Sequence, residues 1–373
     1  MLTDREPEVA SSNTVRTGGG VLGRLYGMLN DGLSVPFRRV PSNGKNHLYY
    51  SNSNLGKEKE GAVLAQPFEA QTSSGGLADR AGETLRLMHR WGYAPRIEVL
   101  SEQLLGGPTT AEHLNRELEA RPDLVVQDGF VSLKGYADLI RKSRRRIDSH
   151  QGLQAGALTI ARDFARDLAS SCPMVDCIAL SGSLASGGYG PQDDIDFDLL
   201  VQPGTKYICY LLAHLVGLRF SWRYRHLRLD EVHRTPLFPK ITCVNVVWPE
   251  DQAKPFVRRD ENMAFELLRC EPLYGAQAFK SALESNLWVR DYFPQAYGRE
   301  WPTQAKAPPN ITGRILEGVR RSPKMLRWLD GTSRKIAWML YRYVQRSRRS
   351  SPRAVARMEF LRQVKFPYEV FQD

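Results

Sequence analysis

The sequence lacks a long uninterrupted apolar stretch, so a membrane-spanning helix is not expected. The longest such run, YICYLLAHLVGL at 207–218, falls short of the roughly 20 residues that cross a bilayer. The residues MLTDREPEVASSNTV at the beginning also lack the basic segment and following apolar segment of a secretory signal. Together with an apolar content of 42%, these absences predict a soluble, globular protein of the cytoplasm.

Metal-binding and disulfide patterns of cysteine and histidine are missing as well. The five cysteines are odd in number, none forms a C-x2-C pair, and no H-x3-H or HExxH pattern occurs. Neither a disulfide framework nor a zinc site is therefore indicated, and without a G-x-S-x-G segment a serine hydrolase is not indicated either. We expect reduced thiols in the core at Cys172, Cys177, Cys209, Cys243 and Cys270.

Positive charge is concentrated in the last part of the chain. Residues 313–365 contain fifteen Lys and Arg against three acids, a net charge of +12, whereas the whole chain carries +11. The segment RKIAWMLYRYVQRSRRSSPRAVARMEFLRQ mixes aromatic and aliphatic residues with arginines, which is typical of an amphipathic helix that covers a core and turns its cations to water. Binding of RNA or another polyanion is the alternative that this charge keeps open.

Four regions follow one another along the chain. Residues 1–78 are rich in Gly, Ser, Asn and charge, which predicts a disordered leader. Residues 79–136 contain three helix patterns, the third with Thr109 or Thr110 as its predicted cap, and then two apolar strands joined by Asp128-Gly129, a strong hairpin signal. Three helices followed by a hairpin is the order of a winged-helix module. A core domain is expected over 137–255 and a basic helical region over 256–373.

A winged helix often reads DNA, but this segment lacks the necessary charge. The third helix, which would enter the major groove, carries Glu112, Glu117 and Glu119 with only Arg116 as a basic residue. Residues 82–136 hold six Lys and Arg against eight acids. Because phosphate contacts dominate DNA affinity, we expect this module to pack on the core or dock a partner.

Between the hairpin and the first strand of the core, the sequence predicts two helices. One is the basic segment YADLIRKSRRRIDSH, and the other is the amphipathic segment LQAGALTIARDFARDLAS. Later segments predict an apolar helix at about 205–218 and a strand, KITCVNVVW, at 240–248. PLYG at 272–275 is expected to end a helix.

The candidate functional residues are concentrated in the segment SGSLASGGYGPQDDIDFDLLV, residues 181–201. A buried strand, MVDCIAL, runs into a Gly-Ser turn whose backbone amides and hydroxyl can face an anion. Asp194, Asp196 and Asp198 alternate along the next strand, and the two-residue period predicts that they share one face. Three like charges there are costly unless they bind a cation. Mg²⁺ prefers carboxylate oxygens and leaves positions open for substrate phosphates.

This Gly-Ser turn, followed after ten residues by Asp-Ile-Asp and an apolar run, resembles the nucleotidyltransferase superfamily of the DNA polymerase β type. The segments DGFVSLKG, CVNVV, AFELLRCEPLYG and NLWVRDYFPQA resemble uncharacterised bacterial proteins in which a winged-helix-like segment precedes such a domain and a helical tail follows. The resemblance covers roughly residues 80–300. It implies an α/β (α+β) fold with a mixed sheet, Mg²⁺ or Mn²⁺ as cofactor, and transfer of NMP from a nucleoside triphosphate to an unknown acceptor with release of pyrophosphate.

The resemblance also implies roles for individual residues. Gly182 and Ser183 would hold the triphosphate, and Asp194 and Asp196 would bind the metal ions, a register that the downstream Gln-Pro-Gly supports. Asp198 departs from the family, most of whose members are aliphatic at that position.

A third carboxylate on a later strand is usual in the superfamily, where it helps to deprotonate the acceptor. The corresponding strand here is ITCVNVVW, and its candidate position is Asn245, which can ligate weakly but cannot act as a base. Three alternatives stay open: Asp198 supplies the carboxylate, the acceptor needs no base, or the domain binds nucleotide without turning it over. In the last case the protein senses nucleotide or docks nucleic acid through its basic tail.

Overall fold

A computed structural model describes residues 76–191, 193–224, 241–302 and 307–348 of the chain, and for 343–348 it describes the backbone alone. The predicted disordered leader, apart from its last three residues, lies outside the described residues. The part of the basic region beyond residue 348 also lies outside them.

Three helices and a hairpin come first, in the predicted order. They are α1 (Leu77–Arg90), α2 (Ile97–Glu102), α3 (Ala111–Glu119), β1 (Leu124–Gln127) and β2 (Phe130–Leu133). The Thr110 side chain caps α3 by accepting a hydrogen bond from the His113 amide at 3.2 Å. Asp128 and Gly129 have φ values of 51° and 76°, the left-handed pair that a tight hairpin turn requires. The predicted helix cap and hairpin turn are confirmed.

One continuous helix, α4 (Asp138–Ser171), connects the hairpin to the sheet. The prediction of two separate helices is wrong, because Gly152 between them lies inside α4. A glycine in a helix interior costs about 1 kcal/mol relative to alanine. Burial on both sides of Gly152 outweighs this cost: Ile140 packs with Phe130 of the hairpin, and Phe164 packs against the sheet.

Four strands form a mixed sheet in the order β5-β4-β3-β6. They are β3 (Val175–Ser181), β4 (Ile195–Val201), β5 (Thr242–Pro249) and β6 (Glu271–Tyr274). Strand β3 is antiparallel to β4 and β6, whereas β4 and β5 are parallel.

The segment that was expected to end a helix forms most of β6, so that prediction is wrong. Pro272 of β6 pairs with Ala179 of β3. Because β6 is an edge strand, its proline need not donate a backbone hydrogen bond to a further strand, and the position tolerates the missing N–H.

Helices connect the strands. A single turn of helix, α5 (Gly182–Ala185), follows β3 directly, α6 (Lys206–Arg223) follows β4, and α7 (Glu250–Ala253) follows β5. Helix α6 confirms the apolar helix predicted at about 205–218. None of the helices in the described ranges combines the length and apolar composition needed to cross a bilayer.

Apolar cores lie on both faces of the sheet. On one face, the ring of Phe164 from α4 stacks on Phe197 of β4 at 4.5 Å and meets Phe220 of α6 edge-on at 5.6 Å. The opposite face presents Ala179 and Leu200 to α8 (Glu261–Arg269) and α9 (Ala276–Glu284). Full burial of one such large apolar side chain stabilises a fold by about 1.5–3 kcal/mol.

The amino-terminal helices belong to this second core. Leu85, Leu100 and Leu114 from α1, α2 and α3 join the same apolar cluster as Val246 of β5 and Phe265 of α8. The helices and hairpin before residue 137 therefore pack on the sheet domain.

The described chain ends with α10 (Val289–Tyr292), α11 (Ile311–Arg320) and α12 (Pro323–Arg348). Helix α12 lies along α6, with Ala337 buried beside Tyr207. Asp330 of α12 accepts hydrogen bonds from the backbone amides of Tyr207 and Ile208, at 2.9 and 3.0 Å. Helix α12 thus supplies a cap for the first turn of α6.

Candidate functional site

The turn between β3 and α5 is built around Gly182. Its φ of +65° lies in the left-handed region that residues with side chains rarely adopt. A Cβ atom at this position would lie 2.8 Å from Cγ of Asp196 and 2.9 Å from its Cβ, too close for real contacts. The missing side chain of Gly182 therefore allows the Asp196 carboxylate to lie directly against the turn.

Asp194, Asp196 and Cys243 form a group of candidate metal ligands, called the ligand triad below. Asp194 is buried just before β4, whereas Asp196 of β4 and Cys243 of β5 are half-buried. Each offers one ligand atom, and these atoms all lie within 4.8 Å of one another. Ligand atoms bound to one cation at about 2.0–2.3 Å are separated by roughly 3–4 Å. The triad therefore fits a single divalent cation after small side-chain adjustments.

Strand pairing places Cys243, rather than Asn245, beside Asp196. In the parallel register Asp196 pairs with Cys243, and Phe197 pairs with Val244. The next pair joins Asp198 to Val246, so Asn245 is the extra residue of a bulge.

Asn245 nevertheless borders the triad. The Cys243 thiol donates a hydrogen bond to Asn245 Oδ1 over 3.4 Å. Sequence reasoning missed Cys243, although its two-residue spacing from Asn245 on one strand was a signal that both side chains share a face.

Asp198 follows Asp196 on the same strand but lies in a different, buried cluster. Its carboxyl group accepts hydrogen bonds from Ser181 Oγ at 3.2 Å and from Cys270 Sγ at 3.5 Å. Ligand atoms of Asp198, Glu266 and Cys270 also lie within 4.8 Å of one another. The structure thus brings Asp194 and Asp196 together and assigns Asp198 to a second group beneath α8.

Charge in this buried cluster is balanced by Arg269. Burial first, and then the charge of Glu266, raise the pKa of Asp198 well above its usual range. Burial also raises the pKa of Glu266. The Arg269 guanidinium, 3.6 Å from the Glu266 carboxylate, partly opposes this rise. A protonated Asp198 leaves a single carboxylate opposite a single guanidinium, which is the arrangement that costs least in a buried site.

Cationic side chains of α4 border the loop between α5 and β4. Arg146 forms an ion pair with Asp193, the residue before Asp194. A Cβ atom on Gly188 of this loop would lie 3.8 Å from Arg146 Nε. One turn earlier on α4, Lys142 has a pKa lowered by burial and then by the charge of Arg146, with Asp193 partly opposing the effect. Lys142 and Arg146 thus lie close to Asp193, the residue before Asp194 of the triad.

The same loop folds back over the turn that contains Ser183. The Ser183 carbonyl accepts a hydrogen bond from the Gly188 amide at 2.9 Å, and Ser183 itself is half-buried. The neighbouring Tyr189 has its pKa raised by burial and then by the charges of the loop and strand aspartates. The negative field of these aspartates would attract a cation.

Comparison of the chain with protein-family models, with curated proteins and with solved structures finds no match.

Proposed function

We propose that the protein is a metal-dependent nucleotidyltransferase of the DNA polymerase β type, which moves NMP from a nucleoside triphosphate to an acceptor hydroxyl. The packing of Asp196 against Gly182 carries the proposal, because it joins the Gly-Ser turn and the Asp-Ile-Asp segment into one site. In this proposal the mixed sheet is the polymerase β-like core, and the preceding helices and hairpin are a winged-helix-like module.

Asp194 and Asp196 would hold Mg²⁺ or Mn²⁺ at this site. A bound divalent cation would neutralise triphosphate charge and polarise the phosphorus centre. Gly182 and Ser183 would position the triphosphate, and the cations Lys142 and Arg146 would attract its remaining charge.

The proposed reaction is a single displacement at the α-phosphorus, in which one bond forms and one breaks. The acceptor oxygen forms a bond to the α-phosphorus, and the bond from that phosphorus to the bridging oxygen breaks. The electron pair of the broken bond leaves with pyrophosphate, and the acceptor proton passes to water. The chain's part is to bind and orient the triphosphate so that this displacement can occur in line.

A nucleotide-binding protein without turnover is a second candidate, and Cys243 and Asn245 favour it. The superfamily has a carboxylate that helps to remove the acceptor proton, whereas the register here brings a thiol beside Asp196 and an amide two residues later. Neither an amide nor a neutral thiol accepts a proton as a carboxylate does.

Calorimetric titration tests both candidates. Each of the four ribonucleoside triphosphates is titrated with Mg²⁺ or Mn²⁺ into the wild-type chain and into the Asp194→Asn/Asp196→Asn double variant. We expect the wild type to bind a triphosphate only when the metal is present. The double variant should lose this binding, because its two amides keep the shape of the carboxylates but not their charge.

The matched control is Asp148→Asn/Asp251→Asn, which removes two exposed carboxylates, one from α4 and one from α7. It should bind as the wild type does. If the folded wild-type protein binds none of the triphosphates, both candidates are wrong. Binding without pyrophosphate release for any acceptor class would favour the second candidate.

A further inference from the structure

Cys243 differs from the other cysteines in position and exposure. All five lie in the described residues, and four of them are buried, whereas Cys243 is half-buried. It is also the one whose sulfur joins two aspartates, Asp194 and Asp196, in a group of ligand atoms within 4.8 Å. Its sulfur therefore lies where an entering ion would meet it.

The other cysteine-containing cluster does not compete for the ion. Asp198, Glu266 and Cys270 are all buried, and the Arg269 guanidinium already lies beside Glu266 at 3.6 Å. A second positive charge in that place would be repelled by Arg269 and would have to be dehydrated completely. Of the two clusters, the ligand triad is the one with half-buried members, Asp196 and Cys243, which an ion from solvent can reach.

A thiolate changes which cation a pair of carboxylates prefers. Carboxylate oxygens alone suit Mg²⁺, Ca²⁺ and Mn²⁺, whereas sulfur selects softer ions such as Zn²⁺ and Co²⁺. Affinity for nitrogen, oxygen and sulfur sites generally rises from Mn²⁺ through Co²⁺. Two oxygens and one sulfur at the triad therefore favour a thiophilic divalent cation over Mg²⁺.

Asn245 is placed to support a sulfur ligand. The Cys243 thiol donates a hydrogen bond to Asn245 Oδ1. When a metal–sulfur bond forms, the thiol proton passes to solvent, and the amide NH₂ of Asn245 can then donate to the thiolate after the side chain turns over. Asn245 would act as a positioning residue for Cys243.

We propose that Cys243 is a direct metal ligand and that the Asp194–Asp196–Cys243 triad binds a thiophilic divalent cation of the Zn²⁺ and Co²⁺ type more tightly than Mg²⁺. The inference uses the same two aspartates as the proposed nucleotidyltransferase and specifies its metal, but it does not require that nucleotide binds.

Co²⁺ titration of the full chain, followed by absorption spectroscopy, tests the inference directly. A sulfur-to-cobalt charge-transfer band in the near ultraviolet is expected for the wild type. Cys243→Ser should lose the band and weaken Co²⁺ binding at least about tenfold, since loss of even a supporting partner typically costs 10–100-fold. Cys243→Asp should lose the band but bind Mg²⁺ more tightly than the wild type does.

Cys209→Ser is the matched control, because a hydroxyl can take over the contact of Cys209 with Thr205, which measures 3.6 Å. It should retain the band at wild-type intensity. Circular dichroism establishes that each variant is folded, and Cys243→Asp keeps the test decisive if Cys243→Ser does not fold.

A wild-type protein that binds Co²⁺ without a sulfur band, or that prefers Mg²⁺, would overturn the inference. If that protein still binds a triphosphate with Mg²⁺, the proposed function stands while the role of Cys243 fails. A sulfur band that depends on Cys243, in a protein that binds no triphosphate, supports the metal site and refutes the nucleotidyltransferase.

Discussion

Replacement of Gly182 by alanine separates backbone strain from damage to the site. The left-handed φ of +65° at Gly182 costs an alanine about 1–2 kcal/mol. Its new Cβ would also meet the Asp196 carboxylate, with Asp196 Cγ at 2.8 Å, so that Asp196 must move away from the turn. Gly182→Ala should therefore lose both stability and metal affinity.

Gly204→Ala is the matched variant. Gly204 has a φ of +72°, nearly that of Gly182, but no heavy atom lies within 4 Å of the added Cβ. Both variants should lose about 1–2 kcal/mol of unfolding free energy, or roughly 1–3 °C in Tm for a chain of this size. Only Gly182→Ala should also bind Co²⁺ at least about tenfold more weakly, because one ligand of three is displaced.

Thermal unfolding followed by circular dichroism and calorimetric Co²⁺ titration measure the two effects separately. Wild-type metal affinity in a folded Gly182→Ala variant would refute the argument that Gly182 positions Asp196. An equal loss of affinity in Gly204→Ala would show that general strain, and not the contact with Asp196, weakens the site.

Three further sets of variants test other features of the structure. Asp198→Asn should raise stability at pH 7, because burial raises the pKa of the folded carboxyl and thereby disfavours its charged form, whereas the unfolded carboxyl ionises freely. The gain should disappear below the usual carboxyl pKa. A loss of stability at pH 7 in chemical denaturation would count against a protonated Asp198. Asp330→Ala should cost about 1–2 kcal/mol of unfolding free energy, since two amides of α6 lose their acceptor, whereas Asp330→Asn should cost less. Combined Arg321→Gln, Lys324→Gln and Arg327→Gln, all at exposed positions, should reduce the salt dependence of RNA binding if the basic region contacts a polyanion; an unchanged slope in fluorescence anisotropy would exclude these residues from such an interface.

Local signals in the sequence predicted the parts of the fold that short-range interactions determine. The Thr110 cap and the Asp128-Gly129 turn depend on residues within three positions of each other, and both are confirmed. The two strands on either side of the Gly-Ser turn were also predictable, because their apolar runs are bounded by glycine and polar residues.

Other features depend on contacts between distant parts of the chain. Two helices were expected from the segments before and after Gly152, but packing at both ends keeps α4 continuous. The segment at 272–275 has no strand signature of its own and becomes a strand by pairing with β3. In each case tertiary contacts override local propensity.

The composition of the candidate site was predictable only in part. Asp194 and Asp196 follow from the alternating pattern, and the structure places them together. The two-residue spacing from Asn245 did not by itself assign Cys243, because the position of Cys243 beside Asp196 depends on the register of β4 and β5. Asp198 has the same local pattern as Asp196, and only the packing of α8 over it reveals the different environment.

The beginning of helix α4 contacts both the segment between α1 and α2 and the loop before Asp194. The 34 residues of α4 span about 50 Å. Near its beginning, Ser143 Oγ accepts a hydrogen bond from the Ala94 amide at 2.8 Å, and less than one turn later Arg146 pairs with Asp193. A change between α1 and α2 that displaces the beginning of α4 would therefore also displace Arg146 and its ion-pair partner Asp193, which precedes Asp194.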